Sequence, residues 1–331
     1  MSPAEPKTEL KTLSFLEAIG DGLAGEMRRD PTVFALGEDI AAGVYGFSAG
    51  LVDEFGRDRV RDTPISEPGF VGMAVGAAMA GMRPFVDLNI ATFIYVAMDQ
   101  LVNQAAKNRF LFGGQTKIPM VIHLISFHRS HVAAQHGDRP HPLLMNVPGW
   151  KIVAPSTPYD AKGLTISAIR DDDPVILFQD VGSWNQRGPV PVEPYTVPIG
   201  RAHVARQGRD VTVVAFFSLG EALAAADDLA ISGIDVEVID PRSLAPLDER
   251  TILDSVSRTG RLVAVDTANI TCSAASEIAA MAADRVFNSL KAPIRRVCMP
   301  NVHIPFSKPL EQHVMVNKDK IVDAIKSVVA A

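Results

Sequence analysis

The chain has 331 residues, 47% hydrophobic and 21% charged, which excludes a disordered or fibrous protein. At roughly 150 residues per domain, that length predicts two domains. A net charge of -6, from 32 basic and 38 acidic residues, leaves no overall basic field to attract nucleic acid. The two cysteines, Cys272 and Cys298, are too few for a disulfide framework and lack metal-ligand spacing. A reducing, cytoplasmic setting with two buried thiols is therefore expected. The opening MSPAEPKTELKT lacks the apolar core of a signal peptide, and every apolar stretch stops short of the ~18 residues a membrane span needs.

In chain order, residues 14–29 place Phe15, Ile19, Leu23 and Met27 four apart, as one face of an amphipathic helix does. Asp30-Pro31 ends it, and 33–37 (VFALG) reads as a short buried strand. Residues 70–81, crowded with glycine and alanine, suit a helix approached closely by another backbone. Strands are expected at 83–88 and 119–125, with a helix over 96–110 between them. Ser156-Thr157-Pro158 starts a helix over 159–170, which ends at the acidic triplet 171–173 before a strand at 175–178. From 182 to 198 glycine and proline crowd out any sustained period, the texture of an interdomain linker. Beyond it, strands at 211–216, 236–240, 261–265 and 294–298 alternate with helices at 220–232, 248–257, 273–289 and from 318 onward. Such alternation implies βαβ units and a mostly parallel sheet, with ligand-contacting loops at the carboxyl ends of the strands. The expected domains are 1–181 and 199–331, joined by 182–198.

Three features could carry chemistry. Gly20-Asp21-Gly22 has the look of a diphosphate motif, but it lies inside an amphipathic helix and the first asparagine comes only at Asn89, so its glycines read as packing. No Walker-type loop and no GxGxxG after a strand is present. Glu67 heads a helix, where a carboxylate is ordinarily a macrodipole partner. Glu38, ending the strand 33–37, brings a second acid to the same sheet edge. Five of the eight histidines, His123, His128, His131, His136 and His141, fall in one region without zinc spacing. They suit a mobile loop that carries one or two imidazoles to a reaction centre.

Taken in order, several blocks form a pattern. They are Gly37-Glu38-Asp39, the segment 62–81, MDQLVNQAAK at 98–107, Ala133-Ala134-Gln135-His136 and Val147-Pro148-Gly149. PSTPYDAKGL at 155–164, DPRSLAPLD at 240–248 and TGRLV at 259–263 complete the set. Over residues 10–328 the chain resembles the β subunit of the thiamine-diphosphate-dependent decarboxylating component of 2-oxo acid dehydrogenase complexes. That family includes the pyruvate, branched-chain and acetoin dehydrogenases. Residues 26–31 and 268–273 look most like the acetoin branch.

The resemblance implies an α/β fold: a transketolase-like pyrimidine-binding domain with a parallel sheet, plus a smaller C-terminal α/β domain. It implies an α partner, in a heterotetramer of two α and two β chains, that holds diphosphate and magnesium while the β subunit receives the aminopyrimidine. Glu67 matches the glutamate that hydrogen-bonds the pyrimidine ring nitrogen, and Glu38 would support it through a shared proton or water. Asn89 and Phe93 match positions beside the pyrimidine. His136 matches a histidine implicated in passing the acyl group to a lipoyl carrier of an acyltransferase component. Related β subunits hold a potassium ion at the positions of Ala168, Ile169, Asp171 and Asp173; a hydrated acidic helix end is the alternative. The chain departs from its relatives at Gly137 to Pro142, Asn146, Thr267 and His303. Arg129 and Arg139 could grip a substrate carboxylate or simply face solvent. Two other activities fit the same blocks: a transketolase-like carboligase or synthase with a non-lipoyl acceptor, and a non-catalytic assembly subunit.

Overall fold

The computed structural model describes residues 9–127 and 130–331, so His128 and Arg129 lie outside the described residues. The chain divides into two compact units. The first holds residues up to 89 with 93–124 and 155–199; the second holds 90–92, 125–154 and 200–331.

In the first unit the strands lie in the order Val175–Asp180, Val121–Ser126, Arg83–Ile90, Val33–Gly37, Val60–Asp62. Val33–Gly37 pairs in parallel with both of its neighbours. Every residue of Val33–Gly37, Val121–Ser126 and Val175–Asp180 is buried, as parallel strands covered on both faces must be. Gly37 stands opposite Asp87, and a Cβ at Gly37 would meet the Asp87 carbonyl oxygen at 2.5 Å. Only glycine lets these two strand ends close up, and the closure sets Glu38 beside Asn89.

Helix Phe15–Arg29 begins in a capping box: Glu17 N donates to Ser14 Oγ (3.2 Å) and Ser14 N donates to Glu17 Oε2 (2.6 Å). It packs on helix Pro158–Arg170, where the carboxylate of Glu26, 1% exposed, accepts from Arg170 at 2.7 Å. The Gly20-Asp21-Gly22 triplet serves close packing, Gly22 and Asp21 against this helix and Gly20 against the backbone at Phe47. A Cβ at Gly20 would sit 2.2 Å from the Phe47 carbonyl oxygen, and one at Gly22 would sit 3.1 Å from that of Lys162. Asp21 pairs with Lys11 and, at 2.9 Å, with Lys162. Burial raises the Asp21 carboxyl, but the two ammonium groups outweigh it and hold the acid low.

Two sequence expectations change here. The helix expected over 96–110 is a 3₁₀ turn (Ala91–Ala97), a widened π turn (Gln100–Ala105) and a short helix (Asn108–Leu111). Its buried positions Ile94, Ala97, Leu101 and Ala105 keep helical spacing, so the hydrophobic pattern is helical while the hydrogen bonding tightens and then widens. Within 182–198, Arg187–Pro191 is a strand paired antiparallel with Leu10–Ser14, from Leu10↔Pro191 to Ser14↔Arg187. A two-stranded ribbon leaves an outer edge on which Pro189 and Pro191 need supply no N–H.

The second unit has a five-stranded sheet in the order Arg295–Met299, Leu262–Asn269, Val211–Phe216, Val236–Asp240, His203–Arg206. Only the last pairing is antiparallel. Along Val211–Phe216, Val211, Val213 and Ala215 pack toward helices Leu219–Ala230 and Lys318–Val329. Val214 packs the other way, toward Glu249–Thr259 and Ala274–Arg285. That is the period-two alternation of a strand with a core on each face. Ser243–Ala245 and Lys151–Val153 pair antiparallel, which ties the segment 125–154 to this unit.

The expectation of two buried thiols fails for Cys272. It sits exposed at φ 57 in the turn after Leu262–Asn269, whereas burial of Cys298 pushes its thiol up to about 11. Among the described residues no helix is long and apolar enough to cross a membrane.

Candidate active site

The first unit gathers Glu38, Glu67, Asn89 and Phe93. Glu38 and Asn89 follow from the paired strand ends already described. Glu67 is the first residue of helix Glu67–Met79, with Pro68 behind it, and is 8% exposed. Proline at the second position lacks only an N–H that the helix start cannot use, and the unpaired amides there favour a carboxylate. Phe93 is half-buried in the 3₁₀ turn after Asn89.

Two oxygens in this group are buried without a hydrogen-bond partner, Glu38 Oε1 and Asn89 Oδ1. Asn89 Nδ2 donates to the Glu38 carbonyl oxygen at 3.4 Å. Burial first, then the Glu67, Asp39 and Asp87 carboxylates, push the Glu38 carboxyl above its usual range, against the opposing hydrogen bond from Asn89. Two acids are thus gathered at the carboxyl ends of parallel strands, and Glu38 keeps its proton to higher pH than an ordinary glutamate. The unsatisfied oxygens suit a ligand bearing N–H groups, so the residues fit an aminopyrimidine.

A buried network that the sequence pattern did not bring together adjoins them. His123, fully buried, sets Nδ1 2.9 Å from Asp87 Oδ1 and Nε2 2.8 Å from Gln179 Oε1. Asp87 Oδ1 also accepts the Asn89 backbone N–H at 3.1 Å. The available signal was three polar residues set in apolar strand runs.

In the second unit the described residues of the histidine segment are tied to their surroundings. His131 N donates to Glu311 Oε1 at 3.1 Å, and His131 Nδ1 lies 2.5 Å from Glu311 Oε2. His136 is half-buried on the short helix Ala133–Gly137. A Cβ at Gly137 would touch Ile304 at 3.0 Å, so the helix is seated closely. Arg139 is 3% exposed and donates to the Phe127 carbonyl oxygen at 3.1 Å, which removes it from the surface. His141 is completely buried, with Nε2 2.9 Å from Asp266 Oδ1.

At the acidic turn after helix Pro158–Arg170, Asp171 N donates to the carbonyls of Ser167 (3.1 Å) and Ala168 (3.3 Å). Arg83 Nη1 donates to the carbonyls of Ile169 (3.0 Å) and Asp171 (2.8 Å), while Arg109 pairs with Asp173. The carbonyls at this helix end are therefore met by protein donors, though each oxygen keeps a second lone pair. Among the described residues no group of three or more His, Cys, Asp or Glu side chains is arranged to hold a metal ion.

Residues 11–184 match the family model "Transketolase, pyrimidine binding domain", and 200–321 match "Transketolase, C-terminal domain". The chain is 44% identical to the β subunit of acetoin:2,6-dichlorophenolindophenol oxidoreductase of Bacillus subtilis (strain 168), over 94% of this chain and 96% of that one. It is 41% identical to the β subunit of the pyruvate dehydrogenase E1 component of Rhizobium meliloti (strain 1021), covering 98% and 72%. It is 38% identical to the 2-oxoisovalerate dehydrogenase β subunit of Bacillus subtilis (strain 168), covering 96% and 98%. A solved structure described as "Split gene transketolase, inactive beta4 tetramer" shares the fold, with TM-score 0.77 at 21% identity over 96% of this chain and 98% of that chain. A two-unit, mostly parallel fold, acids gathered at its strand ends and similarity running nearly the whole length together identify the chain: it belongs to the β subunits of thiamine-diphosphate-dependent acetoin and 2-oxo acid dehydrogenases.

Proposed function

We propose that this β subunit serves an acetoin-cleaving dehydrogenase, works with an α subunit as two α and two β chains, and delivers the acyl group to the lipoyl carrier of an acyltransferase component in the cytoplasm. The observation that carries the reading is Glu67, buried at a helix head beside a Glu38 carboxyl pushed above its usual range. The 44% and 45% identities to two acetoin oxidoreductase β subunits support the choice of substrate.

Thiamine diphosphate, when bound, supplies the electron sink for breaking a bond beside a carbonyl. The chain's own residues hold and ready it. Glu67 holds a proton at the pyrimidine ring nitrogen, a task that needs an oxygen able to bind and release it. Glu38 Oε1 and Asn89 Oδ1, both buried and unpartnered, offer acceptors to pyrimidine N–H groups. Phe93 would offer an aromatic side chain to the ring, and His136 would serve the acyl acceptor as a proton donor. Magnesium belongs with the α subunit's diphosphate site. A potassium ion at Ala168, Ile169, Asp171 and Asp173 would share the Ile169 and Asp171 carbonyls with Arg83. We place the pyrimidine-binding domain at 1–181, the linker at 182–198 and the C-terminal domain at 199–331, which the family-model limits of 184 and 200 support.

The α/β assembly should turn over acetoin with a higher kcat/KM than pyruvate or 3-methyl-2-oxobutanoate, and should acylate a lipoyl domain. Acetoin inert beside an active 2-oxo acid would refute the substrate assignment. Turnover with aldehyde acceptors alone would establish the carboligase instead.

Glu38 gives a second expectation. Its folded pKa lies above the unfolded value, so the fold binds more protons than the unfolded chain between the two. Stability therefore falls as pH rises through that window. Glu38→Gln removes the ionisation and should raise Tm at neutral pH, flatten the fall in Tm as pH rises above the ordinary glutamate range, and lower activity. A Tm that keeps the wild-type pH slope would exclude Glu38 as its source.

A further inference from the structure

Asn89 is a non-glycine residue held at φ 54, and it forms part of the pyrimidine-side group. Asparagine enters this left-handed region more readily than other non-glycine residues, and a hydrogen bond on its backbone N–H helps hold it there. Asp87 Oδ1 accepts the Asn89 N–H at 3.1 Å from two residues back in the chain. Asp87, 2% exposed, is itself set by His123 Nδ1 at 2.9 Å on the same oxygen. His123 is oriented in turn by Gln179 Oε1 at 2.8 Å and by the rings of Phe47 (centroids 4.5 Å apart) and Phe85 (5.5 Å). The network spans three strands, Arg83–Ile90, Val121–Ser126 and Val175–Asp180, and lies wholly inside the first unit.

Resting on the reading of Asn89 and Glu67 as pyrimidine-side residues, we infer that His123 is a positioning residue. Through Asp87 it locks Asn89 in the left-handed conformation that binds the cofactor's pyrimidine. A carboxylate can only accept, so the proton that matters is on Nδ1. An imidazole in this place supplies a donor on a rigid ring; with the proton on Nδ1, Nε2 accepts, so the Gln179 amide is turned to present its N–H there, its Nε2 being otherwise buried without a partner. Without that donor, Asp87 Oδ1 turns to whatever donor it can find, and Asn89 relaxes toward ordinary backbone angles. Asn89 Oδ1 and its contact with the Glu38 carbonyl move with it. The network touches no reacting atom, so its effect falls on cofactor binding before it falls on the chemical step.

The test compares two substitutions that split the imidazole's two nitrogens. An asparagine amide at 123 can reproduce the Nδ1 donor; a glutamine amide reaches instead toward the Nε2 position. Purified α/β assembly is stripped of cofactor, and thiamine diphosphate with magnesium is titrated by calorimetry, with Tm recorded alongside. His123→Asn should bind within about threefold of wild type, and His123→Gln about tenfold more weakly, with kcat at saturating cofactor falling less than affinity. Equal affinities in the two variants, whatever their Tm, would overturn the inference, since a purely structural histidine would destabilise both without separating them. Should His123→Gln not assemble, isosteric Asp87→Asn takes its place, with the same expected loss and the same refutation if affinity holds. Glu67→Gln is measured in parallel. If it leaves activity intact, the functional reading itself fails; if it abolishes activity while the 123 variants bind alike, only the positioning role fails.

Discussion

Glu67→Gln is expected to lower kcat/KM of the α/β assembly by about 10²–10⁴-fold while leaving assembly and Tm nearly unchanged. The two halves of that expectation have separate causes. Glutamine keeps the length of the side chain and an acceptor oxygen, so the helix start of Glu67–Met79 and its packing survive. The helix loses only the attraction between a carboxylate and its first amides, worth ~0.3–1 kcal/mol. An amide cannot take and return a proton at the pyrimidine ring nitrogen, and that is what the proposed role asks of this position. Glu67→Asp separates reach from charge: the carboxyl is kept but drawn back by one methylene, and activity should again fall steeply. Steady-state assays with an artificial electron acceptor, run beside calorimetric unfolding, measure both halves. Activity within tenfold of wild type in Glu67→Gln would remove Glu67 from the mechanism.

Much of the scaffold that presents Glu67 was legible because it is written locally. The strand Val33–Gly37 and the helix Phe15–Arg29 fall where hydrophobic period and the Ser14 cap put them. The helix starting at Pro158 follows Thr157, whose side chain accepts from Asp160 N as a cap does. Features made by residues distant in sequence were not legible. Leu10–Ser14 finds its partner at Arg187–Pro191, and no window of residues contains both. The break within 91–111 escaped because burial there keeps helical spacing while hydrogen bonding does not.

The site divides in the same way. Glu38 and Glu67 were visible as acids at the ends of apolar elements. Asp87, His123 and Gln179 were not seen as a group, since each looks like a stray polar residue until three strands are laid side by side. The histidine cluster misled in the opposite sense. Its residues are neighbours in sequence, yet the structure sends them to different partners: His123 to Asp87, His131 to Glu311 and His141 to Asp266. Composition suggested a mobile carrier of imidazoles. The described part is a tethered segment in which His131 and His136 are half-buried while His123 and His141 are fully buried.

The strongest of those tethers makes the largest stability prediction, that His141→Leu will destabilise the protein by about 3–5 kcal/mol. Both side chains of the His141–Asp266 pair are 0% exposed. Asp266 also accepts the backbone N–H of Ala268 (3.0 Å), in its own strand, and of Ala274 (2.8 Å), the first residue of the helix Ala274–Arg285. Burial alone would raise this acid, but His141, by charge and hydrogen bond, together with the two amides, holds it low. Leucine fills the imidazole's volume, so the loss comes from stranding Asp266 rather than from a cavity. The pH dependence carries a matching sign. A carboxyl with a depressed folded pKa adds stability above its unfolded value, ~3.9, and that stability drains away as pH falls through the folded pKa. Removing His141 takes away the strongest partner that offsets burial, so the folded pKa climbs and the acid loss of stability begins at higher pH. Tm measured from pH 4 to 8 should lie ~6–15 °C below wild type at neutrality, with the gap changing as Asp266 protonates. A Tm within 2 °C of wild type and a parallel pH curve would mean that the amides of Ala268 and Ala274 suffice to hold Asp266. The histidine segment would then owe its place to Glu311 and Ile304 rather than to this pair.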